Sequence, residues 1–220
     1  MRALCYQGRG MIITKLLYAL YQPYKWLVFL PIFILSTVFF ILFGMLILVF
    51  TDSNTTSRTA GVWWARFICF ITPIRVTVLG RDNVIREQSY IVAANHNSLY
   101  DILILYGFLG IDIKWAMKVE LRRIPLFGLA GKLGGNIYID RPDPAASYAS
   151  LRAAKETLVK GVSLMMLPEG TRSRRGELRP FKNGAFILSS ELSLPILPVS
   201  IIGTAKVLPP NTLKLFPKLT

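Results

Sequence analysis

From Trp26 to Phe50 the chain reads WLVFLPIFILSTVFFILFGMLILVF, 25 residues without one charge. A fold must either bury such a run on every side or give it to a lipid phase. As a single helix it would be about 37 Å long, against a bilayer hydrocarbon core of roughly 30 Å. That length permits one tilted span. It equally permits a helical hairpin whose arms reach partway into the bilayer, with the break near Ser36-Thr37. A secretory signal peptide fits poorly, because the run is too long and no small-residue cleavage site follows it. Arg2, Arg9, Lys15 and Lys25 precede the run and Asp52, Arg58 and Arg66 follow it, a bias that puts the N-terminus in the cytoplasm.

The chain carries 26 Lys and Arg against 12 Asp and Glu, a net charge of +14. An excess of that size points to a polyanionic partner: nucleic acid, anionic lipid headgroups or a phosphorylated substrate. No nucleic-acid-reading module is visible, and the basic residues are scattered among apolar runs, so lipid phosphate is the better partner and nucleic acid is set aside. Cys5 and Cys69 form no disulfide framework and have no metal-ligand spacing,.

A chain of 220 residues holds one domain with a real core. The expected division is an N-terminal membrane-anchoring segment, 1–57, and a second domain, 58–220. Within the first, residues 10–22 read as a helical stretch ended by Pro23, and TDSNTTSRT (51–59) as an interfacial joint or helix cap. AGVWWARFICFI reads as a helix whose Trp63 and Trp64 suit a bilayer interface. From residue 74 the pattern becomes α/β. Strands are expected at 74–80, 89–94, 111–119, 136–140, 163–167 and 195–203, and helices at 98–110, 124–134, 145–160 and 184–193. Alternating strands and helices imply a mixed, largely parallel sheet flanked by helices. The terminal LKLFPKLT looks like a strand beginning, which fits either C-terminal truncation or a short natural protein.

Two loops follow strands directly: NHNSLYD (95–101) and PEGTRSRRGELRPFKNG (168–184). In open α/β sheets ligands gather at the carboxyl ends of strands, so both loops can face one site. His96 is the only histidine, and Asp101 lies five residues on. Two helical positions that far apart diverge by roughly 140°. The pair therefore meets only if His96 lies in the turn before the helix and Asp101 in its first turns, with Asn97 or Ser98 as the N-cap. The helix N-terminus would keep the imidazole neutral and Asp101 would orient it. The alternative is a histidine capping its own helix. No serine or cysteine in an elbow sequence accompanies the pair, so the nucleophile can belong to the substrate.

In the second loop Arg172, Arg174, Arg175, Arg179 and Lys182 suit phosphate, Gly170 lets backbone approach a ligand closely, and Glu169 sits among the arginines as a carboxylate able to bind a hydroxyl or orient a side chain. A solvated basic loop is the alternative. Asp140-Arg141 ends a strand on what can be the same rim, and Lys118, Arg122 and Arg123 offer further charge to a phosphate or an acidic carrier.

Together these stretches resemble the glycerolipid acyltransferases of the 1-acylglycerol-3-phosphate acyltransferase type. NHNSLYD is similar to the family's His-x4-Asp motif, GGNIYIDR to its second motif, LPEGTRS to its third and LPILPV (194–199) to its fourth, in the right order across roughly residues 60–210. The resemblance implies acyl transfer from acyl-CoA or acyl-carrier protein to the sn-2 hydroxyl of lysophosphatidic acid, giving phosphatidic acid. His96 would be the general base and Asp101 its orienting partner. Lys118, Arg141, Glu169, Gly170, Thr171 and Arg172 would form the phosphate and glycerol site, with backbone N–H groups near the helix start holding the oxyanion. No metal, cofactor or acyl-enzyme is implied. Because thioester donors are cytoplasmic, the resemblance favours a catalytic domain on the cytoplasmic face of a bacterial inner membrane, anchored by a partial-depth hairpin or monotopic helical pair. Acylation of another lysolipid or of glycerol 3-phosphate is the nearest alternative, and a non-enzymatic anionic-lipid-binding protein the alternative of another class.

Overall fold

The structure, a computed structural model, describes residues 20–140, 143–153, 155, 158, 161–173 and 177–216. The expected helix at 10–22 falls mostly outside them. The apolar run belongs to one continuous helix, α1, Leu20–Phe50. Pro23 does not end it; a π-helical turn, Lys25–Phe29, follows and absorbs the irregularity a proline imposes. Nor does the helix break at Ser36-Thr37. Both hydroxyls donate back to the Phe33 carbonyl, at 3.1 and 2.6 Å, which satisfies them inside the helix.

The reversal comes instead at Asp52. Its carboxylate accepts from the N–H groups of Asn54 and Thr55 at 2.7 and 3.0 Å, capping α2, Ser53–Thr56,. A π-helical turn, Ser57–Gly61, carries the chain into α3, Val62–Ile71, so residue 57 lies within one helical stretch. The stretch returns along α1. The Trp64 indole donates to Thr37 Oγ1 at 3.1 Å, the Tyr24 hydroxyl to the Ile71 carbonyl at 2.9 Å, and Phe43 stacks near Trp63. The outer face of α1 is bare. Leu35, Phe39, Leu42, Leu46 and Val49 are all more than half exposed and recur at the spacing of one helical stripe. α1 has the length and composition of a membrane helix, and that stripe is the face a lipid phase would cover.

Five strands follow: β1, Ile91–Ala94; β2, Asp112–Lys118; β3, Ile137–Ile139; β4, Val162–Met166; and β5, Ile196–Val199. They form one sheet in the order β3-β2-β4-β1-β5, and each pairing is parallel. The expected strand at 74–80 pairs with nothing among the described residues. Its alternation is real, with Ile74 and Val76 turned partly inward and Arg75 and Thr77 outward, yet Leu79 is exposed. Alternation reports which way side chains point, while a strand also needs a ladder partner. Likewise 213–216 carry no strand; the Phe216 N–H is bonded to the Val207 carbonyl.

Helices cover both faces of the sheet, as a parallel sheet requires. β1 and β4 show how the residues divide: Ile91 and Leu164 pack against Leu151 of α6 (Pro144–Ala153) and Leu188 of α7 (Gly184–Leu192). The adjacent Val92 and Met165 point the other way, to Leu105 of α4 (Tyr100–Phe108). α4 then buries Tyr100 and Leu103 against Ala65, Ile68 and Cys69 of α3, which fastens the helical pair to the sheet. Two short helices remain, α5, Phe127–Leu133, and α8, Thr204–Val207.

Candidate active site

β1 lies between β4 and β5, so the turn leaving its carboxyl end has a loop from each neighbour beside it. That turn runs from Asn95 to Leu99, with α4 starting at Tyr100. His96 is in the turn and Asp101 in the first helical turn, the arrangement their spacing requires. His96 Nδ1 lies 2.9 Å from Asp101 Oδ2. The same oxygen accepts from the N–H groups of Asn97 and Ser98 at 2.6 and 2.7 Å. The cap is therefore the reverse of the expected one: Asp101 reaches back to the turn, and the Ser98 hydroxyl adds a bond from the Tyr100 N–H at 3.2 Å.

A carboxylate only accepts, so Nδ1 carries a proton, and in the neutral ring Nε2 is then the nitrogen with the free lone pair. Asp101 is fully buried, while the imidazole retains 13% of its surface, enough to present one edge. That edge borders a cavity of about 870 Å³, at the upper end for small-molecule sites. Phe33 and Phe40 of α1, Trp64 of α3, Leu121, Phe127 and Ala130 contribute to its walls. The helical pair thus supplies one wall of the space into which His96 opens.

The loop after β4 reaches the turn through Glu169, which is 3% exposed. Its Oε1 accepts from the His96 N–H at 2.7 Å and its Oε2 from the Arg179 N–H at 3.1 Å. The Ser173 N–H returns a bond to the His96 carbonyl at 2.9 Å. Gly170 has φ +71°, a left-handed conformation that favours glycine. Thr171 is exposed. Arg172 borders the same cavity as His96 and makes one long contact, 3.5 Å, to Asn211 Oδ1. Lys118, at the end of β2, borders it too, with its ammonium 2.7 Å from Glu120 Oε1. That hydrogen bond holds the Glu120 carboxyl below the usual carboxylate range, and a phosphate at Lys118 would compete with it. Arg141, Arg174 and Arg175 lie outside the described residues.

His96 is thus bonded to both Asp101 and Glu169, and Lys118 and Arg172 border the same cavity as His96. The expected oxyanion donors fare differently. The N–H groups of His96, Asn97, Ser98 and Tyr100 are engaged by Glu169, Asp101 and Ser98, which narrows the choice of oxyanion donors near the helix start without removing it. Thr204, which bonds Asp101 from the loop after β5, is not singled out by any sequence motif. Its one signal is position, just past the carboxyl end of a strand. Among the described residues no group of three or more His, Cys, Asp or Glu side chains could hold a metal ion.

The acyltransferase family profile matches residues 75–202, a stretch that holds both the His96 turn and the Glu169 loop and more than half of the chain. The chain belongs to the acyltransferase family. Among its relatives in that family is a 1-acyl-sn-glycerol-3-phosphate acyltransferase of Helicobacter pylori, 34% identical over 164 residues, covering 73% of this chain and 68% of that one. A chloroplastic 1-acyl-sn-glycerol-3-phosphate acyltransferase of Brassica napus is 36% identical over 136 residues, covering 61% of this chain. The chain spans about two fifths of that relative's length, 39%, and 38% of its Arabidopsis thaliana counterpart. The fold matches the crystal structure of the 1-acyl-sn-glycerophosphate acyltransferase PlsC from Thermotoga maritima, with a TM-score of 0.68, 29% identity, and 93% of this chain and 80% of that one covered. This acyltransferase fold therefore includes the helical pair as well as the sheet.

Proposed function

We propose that this acyltransferase moves an acyl group from a thioester, acyl-CoA or acyl-carrier protein, to the sn-2 hydroxyl of 1-acylglycerol-3-phosphate, forming phosphatidic acid. The observation that carries the reading is the junction of a His96–Asp101 pair with a large apolar cavity that Arg172 also borders. In the reaction so read, His96 Nε2 takes the proton of the acceptor hydroxyl as its oxygen attacks the thioester carbon. The carbon–sulfur bond then breaks and the imidazolium returns the proton to the departing thiolate. Asp101 holds the ring and balances its transient charge. Arg172 and Lys118 take the glycerol phosphate, joined by Arg141 on the family resemblance. Glu169 and Gly170 shape the loop that carries Thr171 and Arg172. No step in this scheme calls on a metal or an acyl-enzyme.

The membrane topology read with this function is monotopic. The Lys25 ammonium donates to the Leu213 carbonyl at 3.1 Å, and the Lys114 ammonium to the Ser53 carbonyl at 3.3 Å. Both ends of α1 thus meet the catalytic body, whereas a spanning helix carries its ends to opposite faces. The helical pair then lies in the cytoplasmic leaflet of a bacterial inner membrane, on the side of the thioester donors.

The deciding experiment is His96→Ala in the purified, membrane-reconstituted chain, assayed with lysophosphatidate, other lysolipids and glycerol 3-phosphate against CoA and carrier-protein thioesters. Transfer to lysophosphatidate should dominate in the native chain and fall by on the order of 10²–10⁴-fold in the variant, with vesicle binding retained. Near-native transfer in the variant would refute the general-base assignment.

A further inference from the structure

We infer that Thr204 is a positioning residue for the catalytic pair, acting on His96 through Asp101. The inference rests on the reading of His96 as general base. Thr204 is 5% exposed, and its hydroxyl donates to Asp101 Oδ1 at 2.5 Å. Asp101 has no solvent exposure, and its other oxygen is filled by His96, Asn97 and Ser98. Among the described residues Thr204 is the one partner of Oδ1. With bonds on both oxygens, the carboxyl group cannot turn about its Cβ–Cγ bond. Without Thr204, a buried anionic oxygen is left unpaired, a state costly enough to pull the carboxylate out of register.

The contact belongs to a clamp. Asn95 Nδ2 donates to the Ile201 carbonyl at 2.9 Å, and the Ile201 N–H donates to Asn95 Oδ1 at 2.7 Å. The Ser98 hydroxyl donates to the Leu208 carbonyl at 2.7 Å. Positions 95, 98 and 101 of the catalytic turn are thus each bonded to the segment 201–208. Gly203, at φ +94°, provides the left-handed turn that a side chain there would strain and that aims Thr204 back at the sheet. The loop after β4 grips the turn from one side through Glu169, and the loop after β5 grips it from the other through Thr204. Thr204 lies two positions beyond the matched family stretch, which ends at residue 202.

The test compares Thr204→Val, Thr204→Ser and His96→Ala in the full chain, with Thr204→Val also combined with Asp101→Asn. Each is assayed for kcat, KM and melting temperature with lysophosphatidate and the better of the two thioester donors. Thr204→Val should lower kcat by roughly 10- to 100-fold, the range for losing a hydrogen bond to a charged group, with KM values little changed. Thr204→Ser, which keeps the hydroxyl and drops the methyl, should recover most of kcat, and Thr204→Val should cost nothing further once Asp101 is Asn. A Thr204→Val enzyme with native kcat overturns the inference. So does a Thr204→Ser enzyme that loses tenfold or more in kcat, a comparison that holds even where the Val variant does not fold. An inactive His96→Ala beside a native Thr204→Val sinks only this inference, whereas an active His96→Ala sinks the general-base reading itself.

Discussion

Glu169 Oε1 accepts a 2.7 Å hydrogen bond from the backbone N–H of His96, so the arginine-bearing loop and the histidine turn are fastened to each other by a buried carboxylate. Because both carboxylate oxygens accept backbone N–H bonds, Glu169→Gln forces an amide NH2 against an N–H donor. The stability cost is about 1–3 kcal/mol for one unsatisfied buried group, or a melting temperature lower by roughly 2–12 °C in a chain of this size. Activity should fall mainly in kcat. A rise confined to the lysophosphatidate KM, with native melting, would instead mark Glu169 as a substrate ligand.

The cavity wall gives a second prediction. Ala130 borders the cavity from α5, and Phe33 and Phe40 face it from α1. Ala130→Phe should fill part of a space of about 870 Å³ without touching His96 or Asp101. The variant should discriminate against long acyl donors, with kcat/KM falling by roughly tenfold or more for long chains and little for short ones; each methylene excluded from apolar surroundings forgoes about 0.8 kcal/mol. An unchanged chain-length profile would mean that the acyl chain runs elsewhere.

How much of this was legible in the residues depends on what kind of signal each carried. The central strands β1 and β4 were visible because parallel strands buried on both faces read as short apolar runs, as IVAA and SLMM do,. The stretch at 74–80 gave the same periodic signal yet pairs with nothing, because a ladder partner is a tertiary fact. The hairpin was legible as a possibility and misplaced in detail: Ser36 and Thr37 are satisfied within α1, while the turn comes at Asp52, whose cap fits the reading of 51–59 as a joint or helix cap. The spacing of His96 and Asp101 required a turn-to-helix contact, and that contact is present. The backbone roles of Asp101 and Glu169 were hidden, since no sequence pattern states which N–H groups a carboxylate will occupy. Thr204 was hidden for the same reason, being brought to Asp101 by strand order alone.

The outer stripe of α1 leads to a third prediction. Phe39 and Leu46 are each 59% exposed and touch no part of the site, so Phe39→Glu combined with Leu46→Glu should leave folding intact. Charges at the centre of an apolar helix cost on the order of 2.5–3.5 kcal/mol each in lipid, enough to move the protein from the membrane to the soluble fraction on sedimentation. With the native Cys5 and Cys69 replaced by Ser, single cysteines at Leu20 and Arg58 should react with an impermeant maleimide from the same side of sealed vesicles. Labelling from opposite sides would establish a span and overturn the monotopic reading.

The last prediction concerns Lys114, which is 2% exposed at the junction of β2 with the helical reversal. Its ammonium donates to the Gly134 carbonyl at 2.7 Å and the Ser53 carbonyl at 3.3 Å. Burial lowers its pKa from 10.5 to about 8, against the opposing pull of Asp112 and Asp52. Between those values the unfolded chain holds a proton that the folded chain has released, so stability rises with pH across that interval. Below pH 8 both states are protonated and the full cost of burying the charge is present. Lys114→Met removes the titration together with the ammonium's hydrogen bonds to Gly134 and Ser53. The stability of the native chain, measured relative to Lys114→Met by denaturant unfolding, should therefore be flat from pH 6 to about 8 and climb by at most about 3 kcal/mol toward pH 10.5. A relative stability that falls over this interval would mean that the ammonium is favoured by its carbonyl cage, and that the cage outweighs the desolvation of Lys114.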